Sequence, residues 1–500
     1  MDTPIYNFTK DYASSAPVRL HMPGHKGRGP LGCEEWDITE ISGADSLYEA
    51  AGIIAESEAN ASALFGCPTF YSTEGSSHCI RAMLLLACNA RQGIKNPKCR
   101  NEHRSSADKH CLPRQKETGS FRILAARNVH KAFLSAAALL DLDVVWLPAE
   151  NGPYLSAHPT PERLDTALTE SGAEAVYLTC PDYLGFLPDL GALAKVCHAH
   201  GALLLVDNAH GAYLHFLNPA RHPMDLGADF CCDSAHKTLP VLTGGAYLHA
   251  AAGRMGHCDS QRTLRDALAL FGSTSPSYLI LQSLDLANPY LEKLPETLAG
   301  FLPQVEALKS RLRAAGWTVV GDEPMKLTLD LRPAGTSIAC PPSPRFPTGP
   351  ALAAALEQAG IYCEFFDADY LVCMLTPENT EEDLHRLETA LSGVIAAADG
   401  NLRTSDACPC IPLEKAAADE PPAACPAPSL YGLPERVCSI REAMLAPAKT
   451  VPAAESLGRV LARPGVSCPP AVPILMPGER IDEAAVAAFE RYGIQTVSVL

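Results

Sequence analysis

Short apolar runs alternate with amphipathic segments between about residues 60 and 250. The apolar runs predict strands at residues 69–72, 122–125, 144–147, 175–178, 202–206, 230–232 and 245–248. The amphipathic segments predict helices at residues 77–90, 130–140, 161–171 and 190–200. Strands that alternate with helices in this way are typical of a parallel sheet wrapped by helices. The pattern therefore predicts an α/β fold class with a mainly parallel sheet.

A smaller α+β pattern follows, in the order helix, strand, strand, helix, strand, strand, helix. The strands are predicted at residues 317–320, 326–331, 362–366 and 371–375. The first helix is predicted at residues 295–315, the second ends at residue 359, and the third begins at residue 380. A Pro-rich stretch then predicts an extended connector, and helices at residues 439–445 and 482–492 predict a small third unit. We expect five parts: an N-terminal segment (1–60), a large domain (61–290), a small α+β domain (291–400), a linker (401–435) and a C-terminal α+β domain (436–500).

Composition excludes several classes of protein. Of the 500 residues, 47% are hydrophobic and 19% charged, which excludes a disordered chain, and the net charge of −17 disfavours nucleic acid and anionic membranes as partners. Apolar runs are too short for a membrane span, and the first residues lack the features of a secretion signal. We therefore expect a cytoplasmic protein whose 19 cysteines are mostly buried thiols.

Two groups of polar residues follow predicted strands of the large domain. Gly75, Ser76 and Ser77 lie between a strand and a helix, where hydroxyls and free amides can hold a phosphate. Asp207 ends a fully apolar strand, so its carboxylate requires a cation or a hydrogen-bond donor nearby. Ordinary helix and turn capping is an alternative interpretation for both groups.

Lys237 and His130 also follow predicted strands. A lysine among small hydroxyl residues suits a Schiff base, because partial desolvation lowers the pKa of its amine. His130 is placed to stack on a flat ring, although a lone histidine is more often structural. A phosphate seat, an acid for a pyridinium nitrogen, a stacking ring and a Schiff-base lysine together indicate pyridoxal 5′-phosphate.

Four segments carry a resemblance to a known family. They are Leu20-His21-Met22-Pro23-Gly24-His25-Lys26-Gly27, Asp207-Asn208-Ala209-His210-Gly211, Ser234-Ala235-His236-Lys237-Thr238-Leu239-Pro240 and Pro473-Ile474-Leu475-Met476-Pro477-Gly478-Glu479. Along nearly its whole length the chain resembles the bacterial ornithine/lysine/arginine decarboxylases, the group with the aspartate-aminotransferase fold. The resemblance implies a homodimer or larger homo-oligomer with active sites at subunit interfaces.

The resemblance also implies roles for individual residues. Lys237 would bind the cofactor covalently, Asp207 would pair with the pyridine nitrogen, and His130 would stack on the ring. The phosphate would be held by Ser76, Ser77 and Ser234, with Gly75 in the same turn. His236 would lie beside the lysine, and His210 would line the substrate side. Ser273 and Thr274 would reach the cofactor of the neighbouring subunit.

Decarboxylation then follows from how the substrate is oriented. If the α-carboxylate is held perpendicular to the ring, CO₂ leaves, and Lys237 or His236 returns a proton to Cα. A cationic side chain needs an acid at the far end of the pocket, and Glu364 matches the family's substrate-facing carboxylate. A solvent-facing role for Glu364 is equally compatible with the sequence, and Asp367 and Asp369 are alternatives.

Some residues depart from the family pattern. Glu74 stands where relatives have a neutral residue, His78 is bulky at a helix start, and residues 93–120 form an insertion. The cysteines and histidines of that insertion fit no common zinc-finger spacing, so we expect no metal: Cys99, His103, His110 and Cys111.

Three functions compete. The first is decarboxylation of arginine, lysine or ornithine, as in polyamine metabolism, and the sequence does not choose among these substrates. The second is an aminotransferase, for which Arg332 would clamp the substrate carboxylate. The third is a degenerate non-catalytic homologue, which the intact Asp207 and Lys237 disfavour.

Overall fold

The computed structural model describes residues 1–95, 120–147, 153–252, 260–332, 348–398, 433–465 and 470–500. The chain divides into two compact units. The first unit comprises Met1–Leu147, His158–Cys180 and Asp189–Pro295. The second comprises Pro148–Ala157, Pro181–Pro188 and Glu296–Leu500.

A seven-stranded sheet forms the centre of the first unit. Its strands are β1 (Thr69–Ser72), β2 (Arg122–Ala126), β3 (Asp143–Leu147), β4 (Ala175–Thr179), β5 (Leu203–Asp207), β6 (Phe230–Asp233) and β7 (Ala246–Ala250). They lie in the order β1-β7-β6-β5-β4-β2-β3. Strands β2 to β6 are parallel, and β7 runs antiparallel to both of its neighbours. The sheet is therefore mainly parallel, as predicted.

The register of the central strands brings their carboxyl ends together. Thr179 of β4 lies opposite Asp207 of β5, and Asp207 lies opposite Cys232 of β6. In open α/β sheets, ligands bind beyond the carboxyl ends of the strands. This edge is where Asp207 and the residues after β6 are found.

Helices of the first unit follow and connect these strands. They are α1 (Pro4–Ser14), α2 (Ile53–Phe65), α3 (Ser76–Lys95), α4 (Lys131–Leu140), α5 (Pro161–Ser171), α6 (Leu190–Ala199), α7 (Ala235–Thr238), α8 (Ser260–Ala269) and α9 (Tyr278–Ala314), which continues into the second unit. Caps set several of their ends: the Thr160 hydroxyl and the Asp189 carboxylate each accept a backbone N–H of the first turn. In α5, Pro161 occupies the first turn, where a missing N–H costs nothing.

The second unit contains two antiparallel sheets. One has the order β10-β11-β9-β8, with β8 (Thr318–Val320), β9 (Lys326–Asp330), β10 (Phe365–Phe366) and β11 (Tyr370–Met374), and with helices α10 (Gly349–Gln358) and α11 (Glu381–Ala398). The other has the order β12-β14-β13, with α12 (Ile440–Leu445), β12 (Lys449–Pro452), β13 (Leu461–Arg463), α13 (Glu483–Arg491) and β14 (Thr496–Val499). Phe489 and Ile481 lie in the core of this second sheet.

Two predicted boundaries in these regions are wrong. The helix expected to begin at residue 295 begins at Tyr278. The prediction placed the start at Pro295 because proline favours the first turn of a helix, but α9 continues through this proline. The strand expected at residues 362–366 is limited to Phe365–Phe366, so Glu364 lies just before β10. Three predicted segments lie wholly or mostly outside the described residues. They are the 93–120 insertion, the 401–435 linker and a proline-containing loop at residues 341–347 of the small α+β domain.

Membrane-spanning helices are absent from the described part of the chain, where no helix combines the necessary length with sufficient hydrophobicity.

Candidate active site

Lys237 lies on α7, the short helix that directly follows β6. Its side chain is half-buried, and its Nζ atom is 2.9 Å from Nε2 of His210, in the loop after β5. His236, next to it, points away to the backbone, because its Nδ1 atom donates a hydrogen bond to the Gly245 carbonyl at 3.0 Å. The structure therefore brings the predicted Lys237 and His210 into contact. The His236 ring is instead hydrogen-bonded to the backbone just before β7.

Asp207 is buried at the carboxyl end of β5. Its carboxylate accepts hydrogen bonds from the Tyr177 hydroxyl at 3.1 Å, the Ala209 amide at 3.2 Å and the Cys232 thiol at 3.8 Å. Burial raises the pKa of Asp207, and the positive charge of Lys237 lowers it. The carboxylate is thus surrounded by neutral donors and lies within the electrostatic influence of Lys237.

His130 precedes α4 and caps it. Its Nδ1 atom accepts the backbone N–H of Ala132 at 3.1 Å, so the neutral ring carries its hydrogen on Nε2. Burial lowers the pKa of His130 to about 4, and the charge of Lys237 acts in the same direction. Near neutral pH the ring is therefore uncharged, which suits contact with a flat aromatic group.

The predicted phosphate-binding residues lie between β1 and α3 and just after β6. The Ser234 hydroxyl donates a hydrogen bond to Oγ of Ser76 at 2.7 Å. Gly75 has a φ of +73°, and its amide donates to the Gly244 carbonyl at 2.7 Å. Ser76 and Ser77 begin α3, where the first-turn N–H groups have no acceptor within the helix. Hydroxyl and amide donors thus meet at one helix terminus and form an arrangement suited to an anion.

The two unusual residues of this turn have partners of their own. The Glu74 carboxylate accepts the amide of Ser273 at 2.6 Å. His78 is fully buried, with Nδ1 2.8 Å from the Ser72 hydroxyl and Nε2 2.7 Å from the Leu268 carbonyl. Their side chains are therefore engaged in local packing. Ser273 and Thr274 are exposed on the described chain.

The candidate substrate acids lie in the second unit. Glu364 accepts the Tyr183 hydroxyl at 2.7 Å. Asp369 is buried and accepts hydrogen bonds from the guanidinium of Arg491. Asp367 accepts the amides of Asp369 and Tyr370, both at 2.8 Å, through one of its oxygens. Among the described residues, Oε2 of Glu364 and Oδ2 of Asp367 have no hydrogen-bond partner, whereas Asp369 already has a cation.

Sequence reasoning missed two features of the site. Tyr177 lies inside an apolar strand, and its hydroxyl is seen to face Asp207 only when β4 is paired with β5. Asn128 is buried two residues before His130, and neither its amide oxygen nor its amide nitrogen has a partner among the described residues. Its position just after a strand and close to His130 was the only available signal.

Comparison with known proteins identifies relatives over the whole chain. The family model for "Orn/Lys/Arg decarboxylase, major domain" matches residues 104–319. An arginine decarboxylase of Halalkalibacterium halodurans is 27% identical over 516 residues, covering 97% of this chain and 92% of that protein. One from Bacillus subtilis is 26% identical over 519 residues, with the same coverage. Over nearly its whole length the chain is thus similar to decarboxylases of this kind, and the family model covers its central part.

Solved structures support the fold of the chain. The lysine decarboxylase LdcF of Francisella novicida matches with a TM-score of 0.75 at 17% identity, covering 100% of this chain and 81% of that chain. The constitutive lysine decarboxylase of E. coli matches with a TM-score of 0.72 at 18% identity, covering 100% and 82%. The predicted aspartate-aminotransferase-like fold is confirmed. The individual roles of the site residues and the domain boundaries stay predictions.

Proposed function

We propose that this protein decarboxylates a basic amino acid with pyridoxal 5′-phosphate bound covalently to Lys237. The observation that carries the proposal is the amine of Lys237, which lies 2.9 Å from His210 and follows β6, the neighbour of the strand that ends at the buried Asp207. The relatives named as arginine and lysine decarboxylases support a basic amino acid as substrate.

The described residues fit this cofactor. The described residues that donate hydrogen bonds to Asp207 are neutral, so a protonated ring nitrogen would supply the cation that a buried carboxylate requires. Ser76, Ser77 and Ser234 offer hydroxyls and first-turn amides to a phosphate group. Asn128 buries an unpaired amide, a group that a bound ligand commonly satisfies.

When bound, pyridoxal phosphate supplies an electron-accepting ring that stabilises the charge released as the Cα–carboxylate bond breaks. Asp207 would hold the protonated ring nitrogen, and the neutral His130 would offer a flat face to the ring. The Lys237 amine and the His210 ring lie within hydrogen-bond distance, so the amine could deliver a proton to Cα and regain one through His210; an amino acid and a proton then yield an amine and CO₂.

Glu364 is our candidate for the acid that recognises the cationic side chain. Its Oε1 atom accepts the Tyr183 hydroxyl at 2.7 Å, which orients the carboxylate and leaves Oε2 for an ammonium or guanidinium group. Glu364 and Tyr183 belong to the same compact unit, so this orientation is set within that unit.

The aminotransferase alternative loses its candidate clamp. The Asp330 carboxylate already pairs with the Arg332 guanidinium along its Nε and Nη2 edge, with Nε–Oδ1 at 2.9 Å and Nη2–Oδ2 at 2.7 Å. Glu74 and His78 are departures from the family pattern that a degenerate homologue would explain, but both have partners, at Ser273, Ser72 and Leu268. Neither alternative gains support from the structure.

The decisive experiment measures release of labelled CO₂ from carboxyl-labelled arginine, lysine and ornithine. We expect the protein loaded with pyridoxal phosphate to release CO₂ from at least one of these amino acids. Lys237→Ala should release none above background, and borohydride should fix no cofactor to it. Lys195→Ala, which changes an exposed lysine on α6, should match the unmodified protein.

The results distinguish failure of the proposed reaction from failure of cofactor attachment. Cofactor fixed to Lys237 without CO₂ release from any of the three amino acids would refute the proposed reaction. Failure to fix cofactor to Lys237 would refute the whole proposal. A homodimer with interface sites that include Ser273 and Thr274, and a cytoplasmic location, are further proposals supported by the family resemblance.

A further inference from the structure

A buried carboxylate joins the two loops that carry His210 and Lys237. Asp233 ends β6, directly before Ser234, and is fully buried. Its Oδ2 atom is 3.1 Å from Nε2 of His222 and 3.0 Å from Nε2 of His249. Its Oδ1 atom accepts the side-chain amide of Asn208 at 2.7 Å. The Cys231 thiol donates to the same Oδ1 atom at 3.6 Å, so four buried donors converge on an acid that the proposed chemistry does not use.

The hydrogen-bond roles favour a carboxylate anchor over a metal site. His222, Cys231 and Asp233 bring possible ligand atoms within 4.8 Å of one another. However, Nδ1 of His222 accepts the backbone N–H of Met224 at 3.3 Å, so Nε2 of the neutral ring carries the hydrogen and donates to Asp233. A metal ion would need that nitrogen without its hydrogen. The cluster is therefore built to hold the Asp233 carboxylate.

The carboxylate is ionised in this environment. Burial raises the pKa of Asp233, but the electrostatic attraction and hydrogen bonds of the His222 and His249 rings outweigh burial and hold the pKa well below its usual range. The Thr69 hydroxyl lies 2.9 Å from Nδ1 of His249 and fixes that ring in turn. A charged acceptor makes stronger hydrogen bonds than a neutral one, so the anchor is rigid.

Asn208 connects Asp233 to the loop after β5 by hydrogen bonds. Its side-chain amide binds Asp233, and its backbone carbonyl accepts the amide of Gly211 at 2.8 Å, closing the turn that contains His210. The Asn208 side-chain oxygen packs so closely on Gly211 that a Cβ there would not fit. The His210 turn thus rests directly on the amide that Asp233 holds.

The loop after β6 is connected just as directly. Ser234 follows Asp233 in the chain, and its backbone carbonyl accepts the amide of Lys237 at 3.0 Å. The Ser234 hydroxyl binds Ser76 at 2.7 Å. The carboxylate therefore sits where the two loops meet, one reached through Asn208 and the other through the chain itself.

We propose that Asp233 is a positioning residue that holds His210 and Lys237 at hydrogen-bond distance and so prepares the Lys237 amine to attach the cofactor. The inference rests on the proposed function for the identity of that cofactor. Displacements of about 1 Å between reacting groups can reduce rates by about a hundredfold, so a modest loosening of the anchor is measurable.

The test measures how fast pyridoxal phosphate attaches to the cofactor-free protein, by borohydride trapping and the mass of the Lys237 peptide. Asp233→Asn and Asn208→Ala should each slow attachment about tenfold or more. Asp229→Asn is the matched control. It changes a buried aspartate just before β6 that binds His198 at 3.1 Å and the Leu204 amide at 2.7 Å. It should attach the cofactor at the unmodified rate.

A second readout does not require the cofactor. Acetylation by acetic anhydride, read by peptide mass at Lys237 relative to Lys195, reports the reactivity of the Lys237 amine alone. Asp233→Asn and Asn208→Ala should slow this labelling, and Asp229→Asn should not. If the unmodified protein attaches no pyridoxal phosphate, the proposed function fails and this labelling alone decides the role of Asp233.

Each outcome has a defined meaning. The inference is overturned if both site variants behave like Asp229→Asn in the two readouts. If Asp233→Asn does not fold, Asn208→Ala decides, because it leaves the Asp233–histidine contacts in place. A slowed attachment in Asp229→Asn as well would reduce Asp233 to a contributor to general stability and would also overturn the inference.

Discussion

At the scale of the residue, burial and hydrogen bonding decide what the unusual side chains do. His78 is one of the two residues of the turn after β1 that depart from the family pattern. It is fully buried and joins the Ser72 hydroxyl to the Leu268 carbonyl, and the Tyr48 ring meets it edge-on at 6.2 Å between centroids. Burial lowers the pKa of His78, so the neutral ring is the form that packs here. Its role is therefore to join β1 and α3 to the region of α8.

We predict that His78→Ala weakens folding but not cofactor attachment. The variant leaves a cavity and removes the partners of two buried polar groups, so the free energy of unfolding should fall by about 3 kcal/mol. Urea unfolding followed by circular dichroism measures this change. His200→Ala, which removes an exposed pair with Asp165, should cost less than about 1 kcal/mol. Normal stability with lost cofactor attachment would place His78 in the site instead.

At the scale of the element, the strands and their chemistry were largely predictable. All seven strands of the large sheet were predicted within two residues of their ends, because each is a short apolar run bounded by polar residues. The site residues Asp207 and Lys237 were predicted because polar side chains after such runs lie at the ligand-binding edge of a parallel sheet. The Tyr177 hydroxyl and the Asp233 cluster were missed, since their contacts depend on strand pairing.

The start of α9 was not predictable for a different reason. Asp285 and Asn288 interrupt its apolar face, yet both are fully buried and hydrogen-bonded to other helices. Asp285 accepts the Ser57 hydroxyl of α2 at 2.5 Å and the Tyr6 amide of α1 at 2.9 Å. A polar residue that binds neighbouring helices looks like a surface residue in the sequence. Tertiary contacts therefore hid this half of the helix.

We predict that Asp285 makes folding less favourable as pH rises. Burial raises the pKa of Asp285 to about 6, above the ordinary value of 3.8, so between these values the folded protein binds more protons than the unfolded one. The contribution is complete below about pH 4 and is lost as pH rises towards 6, by up to about 3 kcal/mol. Asp285→Asn should flatten this part of the stability profile, measured by urea unfolding at several pH values.

Glu292→Gln is the control for this prediction. Glu292 lies on the same helix, is exposed and pairs with the amino terminus at 3.2 Å. This variant removes an exposed carboxylate, so it should leave the pH profile between pH 4 and 6 unchanged. If Asp285→Asn and the unmodified protein keep parallel profiles between pH 4 and 6, the raised pKa of Asp285 is refuted.

At the scale of the whole molecule, the chain forms two compact units, and residues 433–500 belong to the second. Arg491 of α13 binds the buried Asp369, which precedes β11, and the Tyr492 hydroxyl contacts the same carboxylate at 3.4 Å. The rings of Tyr154 and Tyr492 lie 4.7 Å apart. The Pro-rich stretch in the sequence suggested a separate C-terminal part. It gave no sign of these contacts, because the partners lie more than a hundred residues apart.

We predict that the Arg491–Asp369 pair stabilises the second unit strongly. Arg491→Met keeps most of the apolar volume but leaves the Asp369 carboxylate buried without its cation, which should lower the free energy of unfolding by about 3 kcal/mol. Arg332→Met is a matched control in the same unit. It breaks a more exposed pair with Asp330 and should cost less than about 1 kcal/mol. Urea unfolding measures both changes, and equal losses would mean that burial of Asp369 does not set the strength of the pair.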